Sequence, residues 1–171
     1  MIRPEPATAS ALLEIEGLEV AFPARGSASV DGGWVTAVRG VSLTLQRGEM
    51  LGLVGESGSG KSLTALALLG LVPPPARVRG HVWLEGEDVL ALPGRALRRV
   101  RGGRIAIVFQ EPMTAFNPVY SIGFQIAEAV RAHRRMSRRQ ALDEAARLLD
   151  LVAVPDARRR LGDYPHQLSG G

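Results

Sequence analysis

The sequence predicts an α/β protein, with a mixed strand-and-helix N-terminal part and a helical C-terminal part. Three observations predict it. Two partly alternating segments joined by a turn-rich stretch read as an early antiparallel strand pair. A short apolar run, Met50–Val54, enters a glycine-rich turn that opens onto a Leu/Ala-rich segment, the order of a strand–turn–helix unit. From Ile122 onward the apolar residues recur at helical spacing and nothing reads as strand.

Taken in order, residues 1–11 are rich in Pro, Ala and Ser and are expected to be flexible. Leu12–Phe22 reads as a strand, Pro23–Trp34 as a turn-rich insertion, and Thr36–Leu45 as the second strand. Met50–Val54 is the third. Ser62–Leu71 suits a buried helix that Pro73-Pro-Pro75 stops. Gly80–Leu84 reads as strand before a turn at Glu85-Gly-Glu87, and Leu92–Val100 as a short helix. Arg104–Phe109 is nearly continuous in apolar residues, the pattern of a strand covered on both faces. Pro112 and Pro118 bracket a loop, and Ile122–His133 reads as helix. Ser137–Val152 is an amphipathic helix with a Ser137/Gln140 capping box and a face of Leu142, Ala145, Leu148, Leu149 and Val152. The expected organisation is therefore a flexible 1–11, a β-rich part with the glycine-rich loop over 12–121, and a helical part over 122–171.

With 171 residues, 46% apolar and 22% charged, the chain has globular composition and enough length for a packed core. It has no cysteine, which excludes disulfides, thiolate zinc sites and cysteine nucleophiles. Its histidines, His81, His133 and His166, lack metal-ligand spacing. The formal charge is +4, and the arginines cluster at Arg95–Arg104, Arg131–Arg139 and Arg158–Arg160. Few aromatics interleave these clusters, so they read as solvated surface before they read as a nucleic-acid platform. No run is long enough to span a bilayer, and the start of the chain has no apolar signal-peptide core.

The chemistry lies in Gly55-Glu-Ser-Gly-Ser-Gly-Lys-Ser62, which satisfies the G-x-x-x-x-G-K-[ST] pattern of a phosphate-binding loop (P-loop). Glycines let the backbone N–H groups turn inward on phosphate oxygens at a helix N-terminus. Lys61 is expected to reach the β- and γ-phosphates, and the Ser62 hydroxyl the Mg²⁺ ion. Ser57, Gly58 and Leu63 complete the candidate cradle. Such a loop alone leaves kinases, GTPases, helicases and transport ATPases all open.

Three further stretches narrow it. The tail Leu168-Ser-Gly-Gly171 resembles the start of the signature motif of ABC-type ATPases. The stretches Leu51–Ser62, Val108–Pro118 and Tyr164–Gly171, the last of which contains that tail, make the chain most similar to the ATP-binding subunits of dipeptide, oligopeptide and nickel importers. The resemblance runs from about Leu12 to the end. It implies an ABC-type ATP-binding domain that uses ATP and Mg²⁺ to drive transport of peptides or related solutes. Phe22 would then stack on adenine, and Gln110 would contact Mg²⁺ and the attacking water. Ser169 and Gly171 would close over the nucleotide of a second, facing ATPase subunit. Met113, Phe116, Val119 and Tyr120 would offer apolar contacts to a permease. The implied partners are that second subunit, the transmembrane permease subunits and, indirectly, a substrate-binding protein. The implied location is the cytoplasmic face of the plasma membrane. Nucleic acid is not an expected partner.

The family pattern continues beyond Gly171 with a Mg²⁺-binding (Walker B) aspartate on an apolar strand, a catalytic glutamate and a switch histidine. The expectation is therefore of an N-terminal fragment that binds nucleotide, hydrolyses it poorly and leaves the Met50–Val54 edge unpaired. The alternatives are a non-transport ABC ATPase acting on nucleic acid or the ribosome, and a nucleotide-binding module without turnover.

Overall fold

A computed structural model describes residues 11–24, 33–110 and 115–168. Four strands form one antiparallel sheet in the order β2-β1-β3-β4: β1 Leu13–Pro23, β2 Trp34–Leu45, β3 Arg77–Leu84 and β4 Glu87–Asp88. The expected pairing of the first two strands is present, with Leu13 opposite Leu45 and Pro23 opposite Trp34. Alternation is interrupted around Gly17, where the register of β1 shifts between Ile15 and Leu18. The shift keeps Ile15, Leu18 and Val20 all on the core face, where each is buried.

Helix α1 (Lys61–Leu68) packs on that face, and Ala67 joins Val38, Val82, Leu84, Val89 and Val100 in one cluster. The helix stops earlier than its prolines suggest. Gly70 turns left-handed at φ 58°, its N–H bonds Ala67 O at 2.9 Å, and Leu71 N–H bonds Leu66 O at 2.9 Å. This is a Schellman-type ending, so the glycine stops the helix before Pro73 is reached. Arg101, just after α2 (Gly94–Val100), donates to the carbonyls of Leu69 and Gly70 at 2.7 Å each. Arg104 donates to Glu85 at 3.0 Å, to Leu84 O at 3.1 Å and to Glu87. Two arginines of the first basic cluster are thus occupied inside the fold.

Two expected strands are not strands. Met50–Val54 and Arg104–Phe109 are non-ladder segments, and within them Met50 is 97%, Val54 90% and Val108 94% exposed. Their composition suits a covered sheet, but a strand exists only through a neighbour, and no strand among the described residues pairs with either.

The chain divides into two compact units, Met1–Ile105 and Ala106–Gly171. In the second, α3 (Ile122–His133) and α4 (Arg138–Leu151) pack with the short α5 (Ala157–Arg160) around Ile122, Leu149 and Ala157. The capping box is formed: Ser137 Oγ accepts from Gln140 N–H, and Gln140 Oε1 accepts from Ser137 N–H. The buried face of α4 is Ala141, Ala145, Ala146 and Leu149, whereas Val152 lies past the helix end and is exposed. No helix among the described residues is long and apolar enough to cross a membrane.

Candidate phosphate-binding site

The loop lies in the first unit, between the Met50–Val54 segment and α1. Gly60 is the N-cap of α1 with φ 95° and ψ 0°, a conformation that glycine adopts without strain. A Cβ built there would sit 2.9 Å from Ala37 O and 3.2 Å from Val38 Cγ2, so strand β2 is a wall behind the loop. A Cβ on Gly55 would meet Ser59 Oγ at 2.7 Å. Gly58 also has positive φ, at 81°. Gly60 is thus fixed by both its backbone conformation and the β2 backbone, Gly58 by its backbone conformation alone, and at Gly55 the neighbour is a rotatable serine hydroxyl.

Lys61 is the only lysine of the chain. Its amino group donates to the carbonyls of Gly55 and Glu56 at 2.7 Å each and to Ser59 Oγ at 3.3 Å. It has no carboxylate partner among the described residues, so its charge is held within the loop and is not neutralised there. Thr64 anchors the junction: it is 5% exposed, and its hydroxyl and N–H both donate to Gly60 O, at 3.0 and 2.8 Å. Sequence reasoning passed over Thr64 and Ala37. A hydroxyl one helical turn after the last loop glycine was a usable signal for the first, while the second comes close only through the fold.

Ser57 and Ser62 are exposed, and Ser62 is the second residue of α1, where backbone N–H groups have no intrahelical acceptors. Leu63 is half-buried and packs on the core. This donor set suits an oxygen-rich anion: turned backbone, helix start, one ammonium and one hydroxyl. No group of three or more acidic, His or Cys side chains that could hold a metal occurs among the described residues. Of the loop's side chains, the exposed Ser62 hydroxyl is the one suited to contribute an oxygen to a divalent ion.

The other candidates are placed less decisively. Phe22 is half-buried against the core cluster, opposite Val35. Gln110 is exposed and belongs to the second unit. Met113, Ser169 and Gly171 lie outside the described residues. Phe116 packs partly into the second core, whereas Val119 is 68% and Tyr120 49% exposed. The 117–120 turn is clamped by Gln125, which accepts from Asn117 N–H at 2.8 Å and donates to the carbonyls of Asn117 and Tyr120 at 2.9 Å each. That clamp also went unread in the sequence.

An antiparallel sheet backed by a helix that starts in a lysine-bearing, glycine-hinged loop defines a P-loop protein of the ATP-binding-cassette type. Residues 38–171 match the family model described as ABC transporter, and the chain belongs to that family. It is 45% identical over 166 residues to the oligopeptide transport ATP-binding protein OppD of Salmonella typhimurium, covering 97% of this chain and 48% of that protein. It is 48% identical over 165 residues to a probable peptide ABC transporter ATP-binding protein, y4tR, of Sinorhizobium fredii, covering 95% and 48%. The chain thus spans about half the length of these curated relatives. The fold is that of the ATP-binding cassette MJ0796, solved as a dimer in a post-hydrolysis state bound to ADP and Pi. That comparison gives a TM-score of 0.70 at 21% identity, over 92% of this chain and 63% of that one.

Proposed function

We propose that the chain is the nucleotide-gripping part of an ATP-binding subunit that powers import of peptides or related solutes. The observation that carries the reading is the loop: Gly60 pressed against Ala37, with the lone lysine bonded to the loop's own carbonyls. Lys61 releases those carbonyls and donates to the β- and γ-phosphates, while the inward N–H groups and the start of α1 hold the phosphate chain. Ser62 offers its hydroxyl oxygen to Mg²⁺, which when bound offsets phosphate charge. Ser57, Gly58 and Leu63 line the same cradle, and Phe22 supplies an aromatic face for adenine. Gln110 offers its amide oxygen toward the metal and the water.

Peptide import is the activity named for the relatives, and it is carried to this chain on their 45–48% identity. The proposed partners are a second ATPase subunit, reached through Ser169 and Gly171, and permease subunits at the cytoplasmic face of the membrane. Val119 and Tyr120, held out by the Gln125 clamp, are suited to the permease contact. We assign the strand partners of Met50–Val54 and the carboxylates needed for turnover to the remainder of the whole protein.

The test is growth of a peptide-requiring host in which the whole protein is the only importer ATPase. Growth on peptide should be lost with Lys61→Ala and kept with Arg98→Ala, a surface change. Growth undiminished by Lys61→Ala would refute the assignment.

A further inference from the structure

The three basic clusters of the sequence have different fates. Arg101 and Arg104 of the first are bonded to backbone and carboxylates within the sheet unit. The second and third converge. Arg138 and Arg139, at the start of α4, and Arg158, on α5, line one groove of about 560 Å³ whose apolar lining is Leu142 and Leu161, both half-buried. Asp143 lines it too and is ion-paired with Arg158. Elsewhere on this unit most arginines are matched: Arg131 with Glu128, Arg134 and Arg147 with Glu144, Arg159 with Asp156, and Arg160 with Asp163; Arg135 is exposed and does not line the groove. Arg138 and Arg139 have no hydrogen-bond or ion-pair partner among the described residues.

We propose that this groove receives an acidic segment of a partner protein, with one apolar side chain seated between Leu142 and Leu161. Two unmatched guanidiniums at the rim call for carboxylates, which they can grip bidentately. The apolar lining calls for a hydrocarbon anchor, which a phosphate backbone does not have. The groove contains no aromatic side chain on which a base could stack. Its concavity suits a protruding segment better than a flat bilayer surface. Asp143 keeps Arg158 on the α5 side of the groove while leaving it 78% exposed, so one further carboxylate can share it.

The test is fluorescence anisotropy of the whole protein with a labelled peptide of Asp and Glu flanking a central Leu. A version with Ser at the centre, anionic phosphatidylglycerol vesicles and a single-stranded DNA oligomer serve as competitors. The double variant Arg138→Glu/Arg139→Glu should weaken binding of the Leu peptide by about tenfold or more. The same charge change at Arg98→Glu/Arg99→Glu, on α2, should leave it unaltered. Acids in the first turn of α4 favour the helix, so an undiminished melting temperature separates lost binding from lost folding. The Ser peptide should compete less well than the Leu peptide. No binding of the Leu peptide, or equal loss in both double variants, would overturn the proposal. So would preferential capture of vesicles or DNA by Arg138 and Arg139.

Discussion

Replacing Gly60 by alanine is the sharpest perturbation the loop offers. The residue sits at φ 95°, and the new methyl would lie 2.9 Å from Ala37 O and 3.2 Å from Val38 Cγ2. Neither obstacle is a flexible side-chain tip: one is the backbone of β2, the other a buried core side chain. Holding a non-glycine residue in such a conformation costs about 1–3 kcal/mol. That strain has two outlets. If the loop keeps its path, the apo protein loses about 1–3 kcal/mol, or about 2–12 °C in melting temperature for a chain of this size. If the loop relaxes away from β2, stability is spared. Nucleotide affinity then falls by the same free energy, about 5- to 150-fold. Denaturant unfolding without nucleotide and equilibrium titration with a fluorescent ATP analogue, run on the same variant, measure both outlets. A variant with native stability and native affinity would refute the claim that β2 forms a rigid wall behind the loop.

Other outcomes follow from the helical unit. Leu149→Ala should cost about 2–5 kcal/mol as a core deletion, whereas Val152→Ala, at a position 68% exposed, should stay within about 0.5 kcal/mol; paired unfolding curves check the contrast. The Glu144 carboxyl is held down to about 2 from an ordinary 4.5, chiefly by hydrogen bonds from Arg147, with Arg134 adding charge. In the window between those values the unfolded state binds more protons, so this contribution is present at neutral pH and is lost as pH falls from 4.5 toward 2. Urea unfolding across that window should show a shallower pH dependence for Glu144→Gln than for the native protein. Disruption of the Gln125 clamp by Gln125→Ala should speed amide hydrogen exchange at Asn117, whose N–H it accepts, while leaving nucleotide affinity unaltered.

Local signals were legible in the sequence. The P-loop needs only its own glycines, lysine and following helix, and the structure builds that helix from Lys61 onward. The β1–β2 hairpin and the Ser137/Gln140 capping box likewise arise from neighbours in the chain or from alternation. What was misread depends on distant partners. Met50–Val54 and Arg104–Phe109 have strand composition, but pairing is a property of two segments, and one segment's composition cannot supply the other. Helix α1 ends at Gly70 because a left-handed residue closes its carbonyls, a stronger local stop than prolines three residues on. On α4 the small residues Ala141 and Ala146 are buried where the sequence pointed to larger ones, because alanine lets the neighbouring elements approach closely. At the site, the Lys61 contacts with Gly55 and Glu56 lie within reach of motif reasoning, while the Ala37 wall is visible only in three dimensions.

The central claim is that Lys61 belongs to a nucleotide's phosphates, and its being the only lysine makes a direct measurement available. Acylation by a limiting amine-reactive reagent, followed by peptide mass spectrometry, reads the Lys61 peptide of this chain separately, with the α-amino group as internal control. Mg·ATP should protect Lys61 while leaving the α-amino rate unchanged. Equal Lys61 labelling with and without saturating Mg·ATP would contradict the account.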